Sequence, residues 1–429
     1  MIIDGKKAFF KGSIKVPGDK SISHRTIMIS SIAEGESEIE NYLFSDDTQR
    51  TIDCFKDMGV NIVSKGNVLT VEGVGLNGLM KPNGPLYCGN SGTTMRLISG
   101  ILIGQKFSST IIGDKSLNKR PMNRIIMPLT KMGGNIKGVE EKYPPLKIYP
   151  NTNLNGIYYP MPIPSAQVKS AILLASLYSN GETSIEEHGL SRDHTERMLE
   201  YYGGDIFVNE NIINIKGGAV LKGKKYIVPG DFSSAAFFIV GALTVKNSKI
   251  NIVDVGLNER RIGLINVLKE MGGNIRVNNL REQCNELIGD IYVKYSKLNG
   301  VDISGDTISI LVDEIPILAI AASLAEGTTT IRDAQELRYK ETDRLNVLSI
   351  ELKKMGVNIE EIDDGLVIHG RESLKAAVLD SHMDHRIAMA LSIGALNGEG
   401  KSVIENSDCV SISYPGFYQT MFDNLIFQK

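Results

Sequence analysis

The chain has 429 residues, 42% of them hydrophobic and 23% charged, and a formal net charge of −3. That length suggests two or three domains with real cores, and the near-neutral balance excludes a global basic field for nucleic acid or a membrane surface. Four scattered cysteines without a CxxC pair argue against a zinc site or disulfide framework and fit a reducing, cytoplasmic setting. The opening stretch, MIIDGKKAFFKGSIKV, has no signal-peptide core and reads as a strand. No apolar run approaches the roughly 18 residues of a membrane span.

A turn and a polar cluster then open the first helix, GDKSISHR (18–25). The same kind of start recurs along the chain as GNSGTTMR (89–96), SAQVKSA (165–171), GDFSSAA (230–236), DEIPILA (313–319) and DHRIAMA (384–390). The helices that follow, such as AILLASLYSNGE and ILAIAASLAEGT, are too apolar for one-sided surface helices and read as central and buried. A short β run follows each one. Further on come amphipathic stretches that end in KDMGVNI (56–62), KMGGNI (131–136), YYGGDI (201–206), KEMGGNI (269–275) and KKMGVNI (353–359). Glycine after a helix is a C-cap, and the alternation beyond it predicts a β-hairpin. The caps recur at roughly 70–80 residues. The chain therefore reads as an α/β protein built from a strand–helix–strand–helix–hairpin unit used six times, three units to a domain.

Helix starts present unpaired N–H groups and the positive end of the dipole, so they accept anions. Here several carry fixed positive charge: Lys20 and Arg25 at the first, Arg96 at the second, His385 and Arg386 at the sixth. Arg120 and Arg124, Arg192, and Arg338, Lys340 and Arg344 lie outside the starts. A single such residue is ordinarily a solvated surface charge. Their recurrence beside Gly, Ser and Asn points to a small polyanion as ligand, since Arg makes bidentate contacts with carboxylate or phosphate. Asp313 and Glu341 sit among these bases; they are salt-bridge partners or groups for proton transfer. His382, Asp384 and His385 in SHMDHR lack a further partner at metal-site spacing. No GxxxxGK[ST] loop supports ATP, and no GxGxxG that opens a helix supports NAD.

In this order, PGDKSISHR, GNSGTTMRL, RPMNR, SAQVKSA, LRYKETDRL and DHRIAMA closely resemble the 3-phosphoshikimate 1-carboxyvinyltransferase (EPSP synthase) family. The resemblance runs from about residue 9 to 425. It implies two similar domains, each of three βαβαββ units with central helices and outer sheets, an enolpyruvyltransferase-like inverse barrel. Residues 1–19 plus 229–429 would form one domain and 20–228 the other, with the active site in the cleft between them. The implied reaction, in the shikimate pathway to chorismate and the aromatic amino acids, joins shikimate 3-phosphate to phosphoenolpyruvate and releases phosphate. It needs no metal or organic cofactor. The resemblance further implies a cytoplasmic monomer, inhibition by glyphosate, and no nucleic-acid or membrane partner.

By the same resemblance, Lys20, Ser21, Arg25, Ser165, Gln167, Ser191 and Lys340 bind shikimate 3-phosphate. Lys20, Asn90, Gly92, Arg120, Gln167, Arg344 and Arg386 hold phosphoenolpyruvate. Asp313 is the base for the 5-hydroxyl, Glu341 the proton donor to the methylene carbon, and Lys20 a third catalytic group. Two departures stand out. Ala166 replaces a serine found in some members, with Arg192 placed to compensate at the same phosphate. Ile412 stands where some members carry a lysine. RPMNR, SAQVK, RDHTE and GDFSSA match the glyphosate-tolerant subclass, whereas NERR (258–261) and Gly92 do not match its strongest form. The rivals are UDP-N-acetylglucosamine enolpyruvyltransferase, which usually carries a loop cysteine missing from residues 113–124, RNA 3′-phosphate cyclase, and a non-catalytic anion-binding protein on the same fold.

Overall fold

The computed structural model describes residues 1–429 except 6, 7, 67, 152, 428 and 429. The chain divides into two compact units. One comprises Gly18–Val228 with Gln283–Glu286; the other comprises Met1–Pro17, Pro229–Glu282 and Leu287–Lys429. The chain thus passes from one unit to the other at both PGD turns, and again where the tip of the Asn274–Gln283/Glu286–Lys294 hairpin falls with the Gly18–Val228 unit. The sequence carries no sign of this last passage.

Six helices are central: α1 (Lys20–Ile32), α2 (Gly92–Leu102) and α3 (Ala166–Ser176) in the Gly18–Val228 unit, and α4 (Phe232–Thr244), α5 (Ile315–Ser323) and α6 (His385–Ala395) in the other. α4 buries every residue from Phe232 to Leu243, and α5 every residue along its length. A helix buried on all sides must be apolar or small throughout, which is why these segments lack an amphipathic stripe. Their ends are satisfied by side chains. Asp19, Ser91, Ser165, Asp231 and Asp384 each accept an N–H of their own helix's first turn, the usual N-cap solution to unpaired donors. The two PGD turns are therefore matched caps, and the Asp231 N–H also donates to Pro17 O at 2.8 Å.

The sheets repeat one pattern. In the Gly18–Val228 unit, Lys225–Ile227 lies parallel to Glu34–Glu40, which pairs antiparallel with the Asn61–Lys65/Val68–Val74 hairpin. Leu86–Tyr87 and Tyr158–Met161 start two further sheets of the same order. In the other unit, Asp302–Ile303 and Ala8–Lys15 start sheets of that order too, the latter extended by Leu425–Phe427. The sixth repeat differs from the expected unit. Val378–Asp380 lies parallel to Lys401–Glu405, but the antiparallel partner is Ile2–Asp4 from the start of the chain, not a following hairpin. After that strand comes a helix, Phe417–Asp423, and the single strand that joins the Ala8–Lys15 sheet.

Close helix packing sets a testable limit. A Cβ on Gly100 of α2 would lie 2.2 Å from the Ala171 carbonyl oxygen of α3. That atom is backbone and cannot swing aside. Gly100→Ala is expected to destabilise the protein by about 1–3 kcal/mol through overpacking, read as a lowered urea midpoint at unchanged slope.

Candidate active site

The two units each gather polar residues at the starts of their central helices. In the Gly18–Val228 unit the starts of α1, α2 and α3 are tied to one another. Arg25 of α1 donates from Nε to Thr195 Oγ1 and from Nη2 to Ser170 Oγ, both at 2.7 Å, and from Nη1 to the Ser21 carbonyl at 2.9 Å. Arg96 of α2 donates to Gln167 Oε1 of α3 at 2.7 Å, and Gln167 donates back to Thr93 Oγ1 at 3.0 Å. Arg120 donates to Asn90 Oδ1 at 2.6 Å, and the Asn90 amide donates to Asp114 at 2.8 Å. Lys20 pairs with Asp47 at 3.1 Å.

The expected site residues of this unit fall into several local sets, around Arg25, around Arg96 and Gln167, around Arg120 and Asn90, and the Lys20–Asp47 pair. Arg25 is buried, and burial pushes it down to about 10 against the pull of Glu196 and Asp19, so it stays charged at neutral pH. Its hydrogen-bond partners are neutral; among the described residues no carboxylate comes within ion-pair distance of it. A buried cation held by neutral groups retains its charge for an incoming anion. Ser165 is the N-cap of α3, Ala166 is its first residue, and Gly92 is the first residue of α2. A Cβ on Gly92 would meet Arg96 Nη1 at 2.6 Å, so glycine leaves room for the Arg96–Gln167 contact. Ser191 donates to Glu187. Arg192, half-buried, precedes the helix His194–Tyr201 whose Thr195 holds Arg25.

Behind Ser191 lies a group that sequence reading passed over. Lys169 of α3 is fully buried and pairs with Glu187 at 2.8 Å and Glu196 at 2.7 Å. The approach to Glu196 is an ion pair outside hydrogen-bond geometry; burial pushes the Glu196 carboxyl up, and Lys169 pulls it down. The signal was available: a lysine inside an otherwise apolar helix needs a buried partner.

In the other unit, Arg344 is the hub. It is buried, and its Nε lies 2.7 Å from Asp384 Oδ2, its Nη2 2.7 Å from Glu341 Oε2, and its Nη1 3.8 Å from Asp313 Oδ1. Burial works against its charge, but Asp384, Glu341 and Asp313 outweigh burial and hold the guanidinium above its ordinary value. Asp384 answers in kind: burial raises it, yet Arg344 takes it below the usual carboxylate value. Asp313 also faces Arg386, whose Nη1 donates to the Asp313 carbonyl at 3.0 Å and whose Nη2 lies 3.6 Å from Oδ2. Asp313, Glu341, Arg344 and Arg386 thus form one cluster. Lys340 pairs instead with Glu336 at 3.0 Å, and Ile412 packs on the apolar core.

Sequence reading missed Glu314 and Ser233: Ser233 donates to the buried Glu314, which lies 3.8 Å from Arg386, and Arg261 donates to Ser233 at 2.9 Å. His382 faces Glu351 at 3.1 Å while Asp384 is taken by Arg344. Among the described residues no group of three His, Cys, Asp or Glu is placed to hold a metal ion, and no helix is long and apolar enough to cross a membrane. The Lys169 group yields a prediction. Lys169→Met leaves two buried carboxylates without their cation and should cost about 3–5 kcal/mol, measured by urea unfolding, whereas surface Lys222→Met should shift the midpoint little.

Comparison with known proteins gives the family and the fold. The family model for EPSP synthase (3-phosphoshikimate 1-carboxyvinyltransferase) matches residues 5–421. A 3-phosphoshikimate 1-carboxyvinyltransferase from Thermoanaerobacter sp. (strain X514) is 52% identical over 420 residues, covering 98% of this chain and 99% of that one. The one from Bacillus cytotoxicus is 48% identical over 411 residues, covering 96% and 97%. The structure of EPSP synthase from Acinetobacter baumannii superposes with a TM-score of 0.89 at 43% identity, covering 100% and 99%. An enolpyruvyl transferase from Streptomyces tendae, 16% identical with a TM-score of 0.80, shares the fold. These matches favour neither UDP-N-acetylglucosamine transfer nor a non-catalytic role, and the chain belongs to the EPSP synthase (3-phosphoshikimate 1-carboxyvinyltransferase) family.

Proposed function

We propose that the clusters built on α1–α3 and on Asp313, Glu341, Arg344 and Arg386 carry the family's reaction in this chain. In it, the carboxyvinyl group of phosphoenolpyruvate passes to the 5-hydroxyl of shikimate 3-phosphate, and phosphate is released. The observation that carries the reading is the Asp313 carboxylate set between two guanidinium groups, with Glu341 on one of them. Such a set supplies a base, an acid and fixed positive charge, which is what the reaction consumes.

The roles are those that the family resemblance implies. Arg25, with its uncancelled charge, together with Lys20, Ser21, Ser165, Gln167, Ser191 and Arg192, receives shikimate 3-phosphate. Asn90, Gly92, Arg120, Arg344 and Arg386 receive phosphoenolpyruvate, with Lys20 serving both substrates. Lys340 completes the shikimate 3-phosphate set on leaving Glu336. Asp313 takes the proton of the 5-hydroxyl as its oxygen attacks the enol carbon, and Glu341 delivers a proton to the methylene carbon. The tetrahedral adduct then expels phosphate, which takes the proton held by Asp313, while the Glu341 carboxylate takes a proton back from the new methyl group and so restores the double bond. An incoming phosphate competes with Glu341 for Arg344 and so frees the carboxyl to carry that proton. Glyphosate, an anionic inhibitor, would compete on the phosphoenolpyruvate side. We place the enzyme as a monomer in the cytoplasm.

Phosphate release from phosphoenolpyruvate by the purified chain should depend on shikimate 3-phosphate. Release without it, or release that follows UDP-N-acetylglucosamine instead, would refute the reading. Asp313→Asn and Glu341→Gln are each expected to lower kcat by about 10²–10⁴-fold, the range of general acid–base catalysis. Binding of shikimate 3-phosphate, followed by calorimetry, should survive in both.

A further inference from the structure

Four side chains in the Gly18–Val228 unit, each at most 1% exposed, run in a line from α1 to α2. His24 Nδ1 lies 2.7 Å from Thr51 Oγ1, Thr51 Oγ1 lies 2.7 Å from Thr94 Oγ1, and Thr94 Oγ1 lies 2.7 Å from Ser91 Oγ. Thr51 belongs to the surface-side helix Asp46–Asp57, so the line crosses three helices. At its far end Ser91 is the N-cap of α2, accepting the Thr94 N–H at 3.2 Å. Ser91 sits between Asn90 and Gly92, and at the near end His24 sits beside Arg25.

The line is continuous. Burial first, then Lys20 and Arg25, push His24 well below its ordinary value, so the ring is neutral and carries one N–H. Its Nε2 is buried and meets no hydrogen-bond partner among the described residues, so Nδ1 carries the ring's one hydrogen bond, to Thr51. Thr51 bonds on to Thr94, and Thr94 to Ser91. Chains of this kind polarise one another, and the loss of one member is felt along the rest.

We propose that His24, Thr51, Thr94 and Ser91 form a continuous hydrogen-bond chain that sets the first turn of α2, making Thr51 a positioning residue for phosphoenolpyruvate although it touches neither substrate. The proposal rests on the reading above that Asn90 and Gly92 receive phosphoenolpyruvate. Breaking the chain at Thr51 leaves His24 Nδ1 without its partner and takes one of the Thr94 hydroxyl's two partners away, which loosens the Ser91 cap. The arginines and serines that hold shikimate 3-phosphate keep their own partners, Thr195 and Ser170 among them.

The test uses the full chain and three variants: Thr51→Val, which is isosteric but lacks the hydroxyl; Thr51→Ala; and Thr51→Ser, which keeps the hydroxyl and drops the methyl. Wild-type activity is measured first, so that failure of the reaction assignment is seen separately. T51V is expected to raise KM for phosphoenolpyruvate about tenfold, the scale of one unsatisfied buried group. KM for shikimate 3-phosphate should stay within about twofold, and T51S should restore the wild-type value. T51A should reproduce the same split if T51V does not fold. An equal rise in both KM values, equal effects of T51V and T51S, or an unchanged KM for phosphoenolpyruvate in the folded hydroxyl-free variant would overturn the proposal.

Discussion

Burying a helix on every side leaves only its ends for polar chemistry. Each unit here is organised around three such helices, and the outward sheets have no comparable demand on them. The first-turn N–H groups must be paired, and aspartate or serine side chains pair them at five of the six starts. The same ends carry the positive pole of the helix dipole. Charged groups added near those ends leave the apolar remainder of each helix to make the core. The copied PGD turn is explained by this division: Asp19 and Asp231 do the same capping work, and Lys20 and Arg25 are additions to one copy alone.

The buried cations use that setting in different ways. Arg344 is cancelled several times over by Asp384, Glu341 and Asp313. It acts as a junction that holds three carboxylates together. Lys169 is cancelled by Glu187 and Glu196 and supports the Ser191 segment from behind. Arg25 is the exception: it is bound by hydroxyls and a carbonyl, which orient the guanidinium without neutralising it. A desolvated charge with only neutral partners is costly to hold, and an anion beside Arg25 would offset that cost.

Much of this was legible in the sequence, and the reason is that the informative signals were local. Helix starts were marked by Asp or Ser followed by small apolar residues. Helix ends were marked by Gly with Asn or Asp, and hairpins by alternation just beyond. The acids at 313 and 341 stood out because they sit among bases, those at 25, 344 and 386 because such bases recur beside Gly, Ser and Asn, and Gly92 entered through the family resemblance. What stayed hidden joins distant parts of the chain. Arg25 meets Thr195 across 170 positions and Ser170 across 145. Ile2–Asp4 closes the sixth sheet by pairing with Lys401–Glu405, and the hairpin tip at 283–286 falls with the other unit.

The sequence by itself thus determined the six-fold repeat, the capped central helices, the family and the residue types at the helix starts. These follow from propensity, periodicity and motif order, which are properties of neighbouring residues. Only the tertiary structure decided which charges are cancelled and which are kept, that Lys169 is a buried support, that Lys340 rests on Glu336, and that four hydroxyl and imidazole groups line up from α1 to α2. The physical reason is that a side chain's charge state and hydrogen-bond direction are set by what surrounds it in space. In a fold whose helices are brought together from separate repeats, those surroundings come from elsewhere in the chain.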